Sequence, residues 1–114
     1  MAARRIERIN AVIKQIASKA ILFELKDPRI GFCTITRVET SPDLQTAKVF
    51  VSVMGSASEQ KKTIAAIKHA RGYIQGEVAK GLKARYSPTI TIIEDPSIKA
   101  SFHISELLRK DQET

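Results

Sequence analysis

The stretch HARGYIQGEVAKG, residues 69–81, decides how the second half of this chain folds. It lies within residues 59–85, a segment that otherwise has the composition of one long helix, yet it contains three glycines, Gly72, Gly76 and Gly81. A glycine in a helix interior costs about 1 kcal/mol relative to alanine, so each needs a structural reason. Gly76 and Gly81 are expected either to permit close approach of another element or simply to cost stability.

Apolar residues change face in the middle of this segment. Ile64 and Ile67 lie together on the helical wheel. The stripe that runs through Ile74 and Val78 is rotated from them by roughly 130° at 100° per residue. One straight helix could not bury both sets against one sheet. We therefore predict two helices with a kink at Ala70-Arg71-Gly72, whose glycine is expected to adopt a positive φ.

An amphipathic helix is predicted at the start of the chain, over residues 4–26. Its apolar residues recur at three- and four-residue steps, and Arg4, Arg8 and Lys19 fall together on the opposite side. Pro28 ends this helix, because proline cannot continue a helix and disfavours the helical conformation of the residue before it.

Two strands are predicted next, over residues 31–40 and 46–54, because both segments are rich in β-branched residues. In the second segment Ala47, Val49 and Val51 occupy alternate positions and should face the same side of a sheet. The polar turn SPDL, residues 41–44, is expected to join the two strands as an antiparallel hairpin.

The fold class expected from this order is α+β, with a third strand at residues 89–94 after the helices. So small a chain offers two layers, so we expect one domain in which the helices cover one face of a three-stranded sheet. The domain is predicted to span residues 1–108, with a flexible tail at residues 109–114. One or two closing helical turns are expected near its end, in the stretch FHISELLRK that begins at residue 102. The order of the strands in the sheet stays open.

The formal net charge of +7 favours a polyanionic partner, chiefly nucleic acid or an anionic membrane surface. Aromatic residues make up 5% of the chain and Trp is absent, so wide base-stacking platforms are not expected. A single cysteine, Cys33, favours the cytoplasm as the compartment. No apolar run approaches the ~20 residues of a membrane span, so no membrane association is predicted.

Neither catalysis nor cofactor binding is predicted. His69 and His103 lie far apart in the sequence, and no cluster of Cys, His and carboxylate residues has the spacing of metal ligands. No nucleophile, base and orienting residue form a recognisable set, so a small-molecule substrate is not expected either. We predict a non-enzymatic monomer with no metal and no cofactor.

Basic residues are expected to form one RNA-binding face around the kink and along the first helix. The free N–H groups of a helix that begins at Arg71 would add a phosphate site there. The residues predicted to contact phosphate are Arg4, Arg5, Arg8, Lys19, Lys68, Arg71, Lys80, Lys83 and Arg85. The alternative is that single charges belong to an ordinary solvated surface and that the kink serves packing alone.

Several motifs in this order resemble the ribosome-binding factor A family. They are RRIERINAVIKQIAS, KDPRI, ITRVETSPDLQTAKVFVSV, the helical segment with ARG, ARYSPTITIIEDPSI and the terminal ISELL, which together span nearly the whole chain. The resemblance implies a KH-like domain of type II. It also implies a bacterial factor that binds the immature 30S ribosomal subunit and acts in 16S ribosomal RNA processing.

The resemblance also bears on the kink. Ordinary KH domains hold RNA with a GxxG loop between two helices, and this chain contains no GxxG. Members of the family carry Ala-x-Gly instead, which here matches Ala70-Arg71-Gly72. The usual groove for single-stranded RNA is then not expected to operate, and recognition of shape and phosphates is favoured over base reading.

A DNA-binding module is the alternative hypothesis. Two helices with a glycine-containing junction also describe a helix-turn-helix, in which the helix after Gly72 would enter the major groove. Against this, that helix lacks the cluster of Asn, Gln and Arg near its start that reads base edges, apart from Gln75.

Overall fold

A computed structural model describes residues 2–82 and 87–95 of the chain. Within them, helix α1 (Ala2–Lys19) is extended by a π-helical turn (Ala20–Glu24) and followed by strands β1 (Cys33–Thr40) and β2 (Thr46–Val53). Helices α2 (Ala57–His69) and α3 (Arg71–Leu82) and strand β3 (Thr89–Glu94) complete the order. The predicted α+β class is confirmed. The closing turns and the tail predicted over residues 102–114 lie outside the described residues.

The three strands form one sheet with β2 in the centre, in the order β1-β2-β3. Strand β1 is antiparallel to β2 and pairs Cys33 with Val53, as expected for a hairpin. Strand β3 is parallel to β2 and pairs Thr46 with Thr89. This parallel pairing requires the long crossover through α2 and α3, which returns the chain to the starting end of β2.

The SPDL turn between β1 and β2 is held by its own side chains. The hydroxyl of Ser41 donates to Asp43 Oδ1 (2.6 Å) and accepts from the backbone N–H of Thr46 (3.1 Å). The hydroxyl of Ser41 and the backbone N–H of Gln45 donate to the Asp43 carboxylate and lower its pKa. These bonds hold Leu44 at a φ of 61°, a conformation that a non-glycine residue adopts at a cost.

The core lies between one face of the sheet and the helices. Ala47, Val49, Val51 and Val53 of β2 are fully buried, so the core face predicted for this strand is confirmed, although Ser52 between the two last valines is buried as well. The helices contribute a larger set of buried residues, namely Ile13, Ala17, Ala20, Ile21, Ile64, Ile67, Ile74 and Val78. The side chain of Asn10 fixes α1 to the end of β1, because its Oδ1 accepts from both the backbone N–H (3.0 Å) and the hydroxyl (2.5 Å) of Thr40.

The first helix departs from the prediction at its C-terminal end. The α-helix ends at Lys19, and the next turn is π-helical, with the Leu25 N–H bonded to the Ala20 carbonyl at 2.8 Å. A π-turn shifts the phase of the residues that follow it. Leu22 and Phe23 in this turn point to solvent, although both are apolar.

The kink between α2 and α3 lies where the change of apolar face predicted it, but the residue that forms it is not the predicted glycine. Ala70 alone separates the two helices, with φ −89° and ψ 8°, and the Ile74 N–H still bonds to its carbonyl at 3.1 Å. Alanine tolerates this conformation, so no glycine is required. The positive φ predicted for Gly72 is wrong, since Gly72 lies in the first turn of α3 and Gly55 is the described glycine with a positive φ.

Gly81 permits the close packing of α3 against α1. A Cβ atom at this position would collide with Cδ1 of Ile16 on α1. The expectation of close approach is therefore confirmed for Gly81. At Gly76 a Cβ atom would meet nothing within 4 Å, so that glycine only costs stability.

Gly72→Ala is expected to raise the free energy of unfolding, by up to about 1 kcal/mol, because alanine has the higher helix propensity. A Cβ atom at Gly72 meets nothing within 4 Å, so no clash opposes this gain. Urea unfolding measures the change. Gly55→Ala is the control and should destabilise, since Gly55 has a φ of 109° and its Cβ would crowd the Glu59 side chain. A Gly72→Ala protein that unfolds more easily than the parent would contradict the helical assignment.

Candidate nucleic-acid interface

Arginines at the start of α1 border a cleft. Arg5 and Arg8 line it, and their neighbour Arg4 is exposed beside them. The cleft has a volume of about 730 Å³ and lies between α1, the β1–β2 turn, the end of α3 and the residues before β3. Most of its wall is apolar, from Ile9, Val12, Leu44, Leu82 and Pro88.

Arg5 and Arg8 have no counter-charge in the part of the chain that the structure describes. Among residues 2–82 and 87–95, neither Arg5 nor Arg8 has a carboxylate within ion-pair distance. Asp43 also lines the cleft, but its carboxylate accepts from Ser41 and from the Gln45 backbone. The cleft thus combines unpaired guanidinium groups, which suit phosphate oxygens, with apolar walls that can cover a sugar or a base edge.

The basic stripe predicted along α1 is exposed over its whole length. Arg4, Arg8, Gln15 and Lys19 are all exposed, while Ile13 and the other apolar positions face the core. Lys19 lies fifteen residues after Arg4, or roughly 22 Å along the axis at 1.5 Å per residue. The structure therefore places the predicted residues of α1 on one surface, with the cleft at one end and Lys19 at the other.

The junction of α2 and α3 lies beside the loop that follows the π-turn. Arg29 holds Asp27 through its side chain (2.7 Å) and its backbone N–H (2.9 Å), which lowers the pKa of Asp27 to about 2, and nearby His69 adds to the shift. The Thr63 hydroxyl on α2 accepts from the N–H of Gly31 at 3.1 Å. Lys68, one of the predicted residues, is exposed at this junction.

Arg71 and Gln75 are bonded to the outer edge of β3. Gln75 accepts from the N–H of Ile90 (2.7 Å) and donates to the carbonyl of Pro88 (2.7 Å). Arg71 donates to the carbonyl of Ile90 at 3.2 Å and to Gln75 at 3.3 Å. Strand β2 takes the other edge, where the N–H of Thr89 bonds to the carbonyl of Gln45. Two side chains of α3 thus take the place of a further strand at Pro88 and Ile90, which we call the β3-edge clamp.

Gln75→Ala is expected to lower the free energy of unfolding by about 1–3 kcal/mol, because it leaves the N–H of Ile90 and the carbonyl of Pro88 without this partner. Gln75→Glu separates the two hydrogen bonds, since a carboxylate can accept from the N–H of Ile90 but cannot donate to the carbonyl of Pro88. Its loss of unfolding free energy should lie between those of the parent and of Gln75→Ala, and thermal unfolding at neutral pH measures both variants. Equal stability of all three proteins would exclude the β3-edge clamp as a stabilising feature.

Lys80 does not join Arg71 in one patch. The two residues are nine positions apart on α3, which is half a turn of the wheel at 100° per residue. Lys80 Nζ lies 3.5 Å from Glu77 Oε1, whereas the Arg71 side chain faces β3. The single basic face predicted around the kink is therefore wrong, because Arg71 and Lys80 point in opposite directions. Lys83 and Arg85 lie outside the described residues.

Two features of this surface were not predicted from the sequence. Gln75 entered only as a base-reading candidate of the DNA-binding hypothesis, because its partners on β3 are distant in the chain. The exposed Leu22 could have been suspected, since at 100° per residue it falls on the same wheel position as Arg4 rather than with the core.

No group of three or more His, Cys, Asp and Glu side chains among the described residues could hold a metal ion. No helix in the same part of the chain is long and apolar enough to cross a membrane.

Comparisons with known proteins agree with one another. The family model for ribosome-binding factor A matches residues 5–108. A ribosome-binding factor A of Chloroflexus aggregans is 42% identical over 113 residues, covering 98% of this chain and 89% of the relative. One of Desulfitobacterium hafniense is 44% identical over 109 residues, covering 96% and 87%.

Solved structures show the same similarity. The solution structure of a candidate ribosome binding factor A of Thermotoga maritima is similar with a TM-score of 0.71 at 34% identity, covering 82% of this chain and 89% of that one. A homology model of the Thermus thermophilus factor, fitted into a cryo-EM map of a 30S complex of that factor, has a TM-score of 0.63 at 21% identity. That match covers 76% of this chain and 91% of the other.

Proposed function

Because this chain belongs to the ribosome-binding factor A family, we propose that it binds the immature 30S ribosomal subunit and assists the processing of 16S ribosomal RNA without catalysing a reaction. The cleft lined by Arg5 and Arg8, which have no ion pair among the described residues, is the main observation in support of a contact with RNA. A complex of the Thermus thermophilus relative with a 30S subunit supports the choice of partner. The factor acts as a monomer in the cytoplasm.

Phosphate contacts supply the affinity. The net charge of +7 draws the protein to RNA, and the exposed stripe of α1 offers cations along roughly 22 Å, a distance that spans several nucleotides. Arg5 and Arg8 grip the backbone at the cleft, with Arg4 and Lys19 along the same helix. Lys68 and Lys80 add contacts from other sides, so the RNA follows the protein surface. Lys83 and Arg85 stay predicted contacts.

Base reading along the edge of β3 is disfavoured. The β3-edge clamp occupies the backbone groups of Pro88 and Ile90 that an incoming strand or base could otherwise contact. Arg71 donates to Ile90, so the sheet competes with phosphate for its guanidinium group. The kink Ala70-Arg71-Gly72 therefore serves the architecture first. Recognition of folded RNA by its shape and phosphates follows from this arrangement.

The helix-turn-helix alternative loses its one base-reading candidate. In that hypothesis, Gln75 on α3 would read base edges in the major groove. Its amide oxygen and its amide nitrogen are bonded to β3 and the residue before it instead, and Arg71 also donates to β3. A recognition helix would have to break these bonds before it met DNA.

Sucrose-gradient sedimentation of the tagged protein tests the proposal. We expect the protein in the fractions of free 30S subunits and their precursors, with little in assembled ribosomes. Cells that lack the factor should accumulate 16S RNA with unprocessed ends, which primer extension detects. A protein that sediments with nucleoid DNA, or that stays at the top of the gradient at low salt, would count against it.

A further inference from the structure

Large apolar side chains are exposed in one region. Leu22, Phe23, Phe32 and Tyr73 have exposed fractions of 62%, 74%, 78% and 46%, and they are the exposed large hydrophobic residues of the described part of the chain. Three of the four are aromatic. We call this set the aromatic belt. A monomeric protein that exposes its large apolar residues in one place commonly uses that place for binding.

Contacts around the π-turn bring the members of the aromatic belt together. Leu22 lines a small cleft with Cys33, the residue that follows Phe32, so these two members flank the start of β1. On the other side of the turn, the Tyr73 hydroxyl donates to Glu24 at 3.0 Å. Since Phe23 lies between Leu22 and Glu24 in the chain, the belt runs from β1 across the π-turn to α3.

The charge around the aromatic belt is positive. Lys19 and Lys26 flank the π-turn in the chain, and both are exposed. Of the nearby carboxylates in the described part of the chain, Asp27 pairs with Arg29 (2.7 Å) and Glu77 with Lys80 (3.5 Å). Glu24, which accepts from Tyr73, stays negative, and the two exposed lysines outweigh it. Exposed aromatic rings among cations form the surface that proteins use for unpaired nucleotides, whose bases stack on the rings while their phosphates meet the cations.

We propose that the aromatic belt stacks unpaired bases of RNA, with Phe23 and Phe32 as the stacking rings and Lys19 and Lys26 as the phosphate contacts. This inference rests on the proposed function and adds a second mode of contact, at the opposite end of α1 from the Arg5/Arg8 cleft. Charge decides the occupant: an apolar protein partner gains nothing from the surrounding lysines, whereas RNA does.

A Phe23→Trp variant reports directly on stacking, because the chain contains no other Trp. Its fluorescence should be quenched by a short oligoadenylate, by protein-free 16S RNA and by purified immature 30S subunits, but not by duplex RNA. Phe23→Leu keeps the apolar surface and removes the flat ring, so it should weaken binding to oligoadenylate by about 5- to 150-fold, the equivalent of one lost stack. Circular dichroism checks that both variants are folded.

Each outcome separates the inference from the proposed function. If wild-type protein binds 30S subunits while the emission of F23W stays unchanged at saturation and F23L binds as tightly as the parent, the belt lies outside the interface and the inference is overturned. Quenching by 30S subunits, but by neither oligoadenylate nor protein-free 16S RNA, would mean that the aromatic belt binds a ribosomal protein, which also overturns the inference. Quenching by oligoadenylate without any binding to 30S subunits would uphold the belt and refute the proposed partner.

Discussion

Ile13→Ala is expected to lower the free energy of unfolding by about 2–5 kcal/mol, the usual range for removing most of a buried isoleucine. Ile13 is fully buried in the core cluster beside Ala17, on the face of α1 that packs against β1 and α3. The cavity left by the substitution would lie between three elements, so no single side chain can move in to fill it.

Two further variants test whether the loss of stability follows from the burial of Ile13. Ile13→Val should cost about 0.5–1.5 kcal/mol, and Gln15→Ala, on the exposed face of the same helix, should change stability by less than about 0.5 kcal/mol. Urea unfolding followed by circular dichroism gives all three values. If Ile13→Ala cost no more than Gln15→Ala, α1 would not be docked on the sheet as the structure has it.

Local patterns predicted most of the fold because local physics determines those parts. The alternation in β2, the SPDL turn and the change of apolar face near Ala70 each follow from neighbouring residues. The change of face indicated the break correctly, since it depends on which side chains are buried. It did not identify the residue at the break, because Ala70 can adopt the required backbone angles as well as a glycine can.

Departures from regular helix geometry and contacts between distant residues could not be predicted from local patterns. A count at 3.6 residues per turn assumes an uninterrupted α-helix, so it did not indicate the π-turn. The β3-edge clamp joins Gln75 to Ile90 and Pro88, and a glutamine on a helix carries no sign of such partners. For the same reason the sequence indicated Arg71 only as a phosphate-binding cation, and only the structure shows its hydrogen bond to the carbonyl of Ile90.

The double reversal Arg5→Glu/Arg8→Glu is expected to weaken binding to 30S subunit RNA by on the order of 100-fold or more, because each of the two charge-assisted contacts to phosphate contributes about 1.5–3 kcal/mol. Both side chains line the cleft and have no internal ion pair among the described residues, so the folded protein does not depend on them. Stability should change by less than about 0.5 kcal/mol per site.

The salt dependence of binding distinguishes the loss of direct phosphate contacts from a general loss of positive charge. The slope of log K against log salt should become shallower by about 1.4–1.8 when two phosphate contacts disappear, at 0.7–0.9 per phosphate. Lys61→Glu/Lys62→Glu is the matched control: it changes the net charge by the same amount on α2, which does not line the cleft. If the two double variants lose affinity and slope equally, long-range attraction explains binding and the cleft has no special part in it. A larger loss for the arginine pair, with unfolding curves that overlap the parent, places the phosphate contacts at the start of α1.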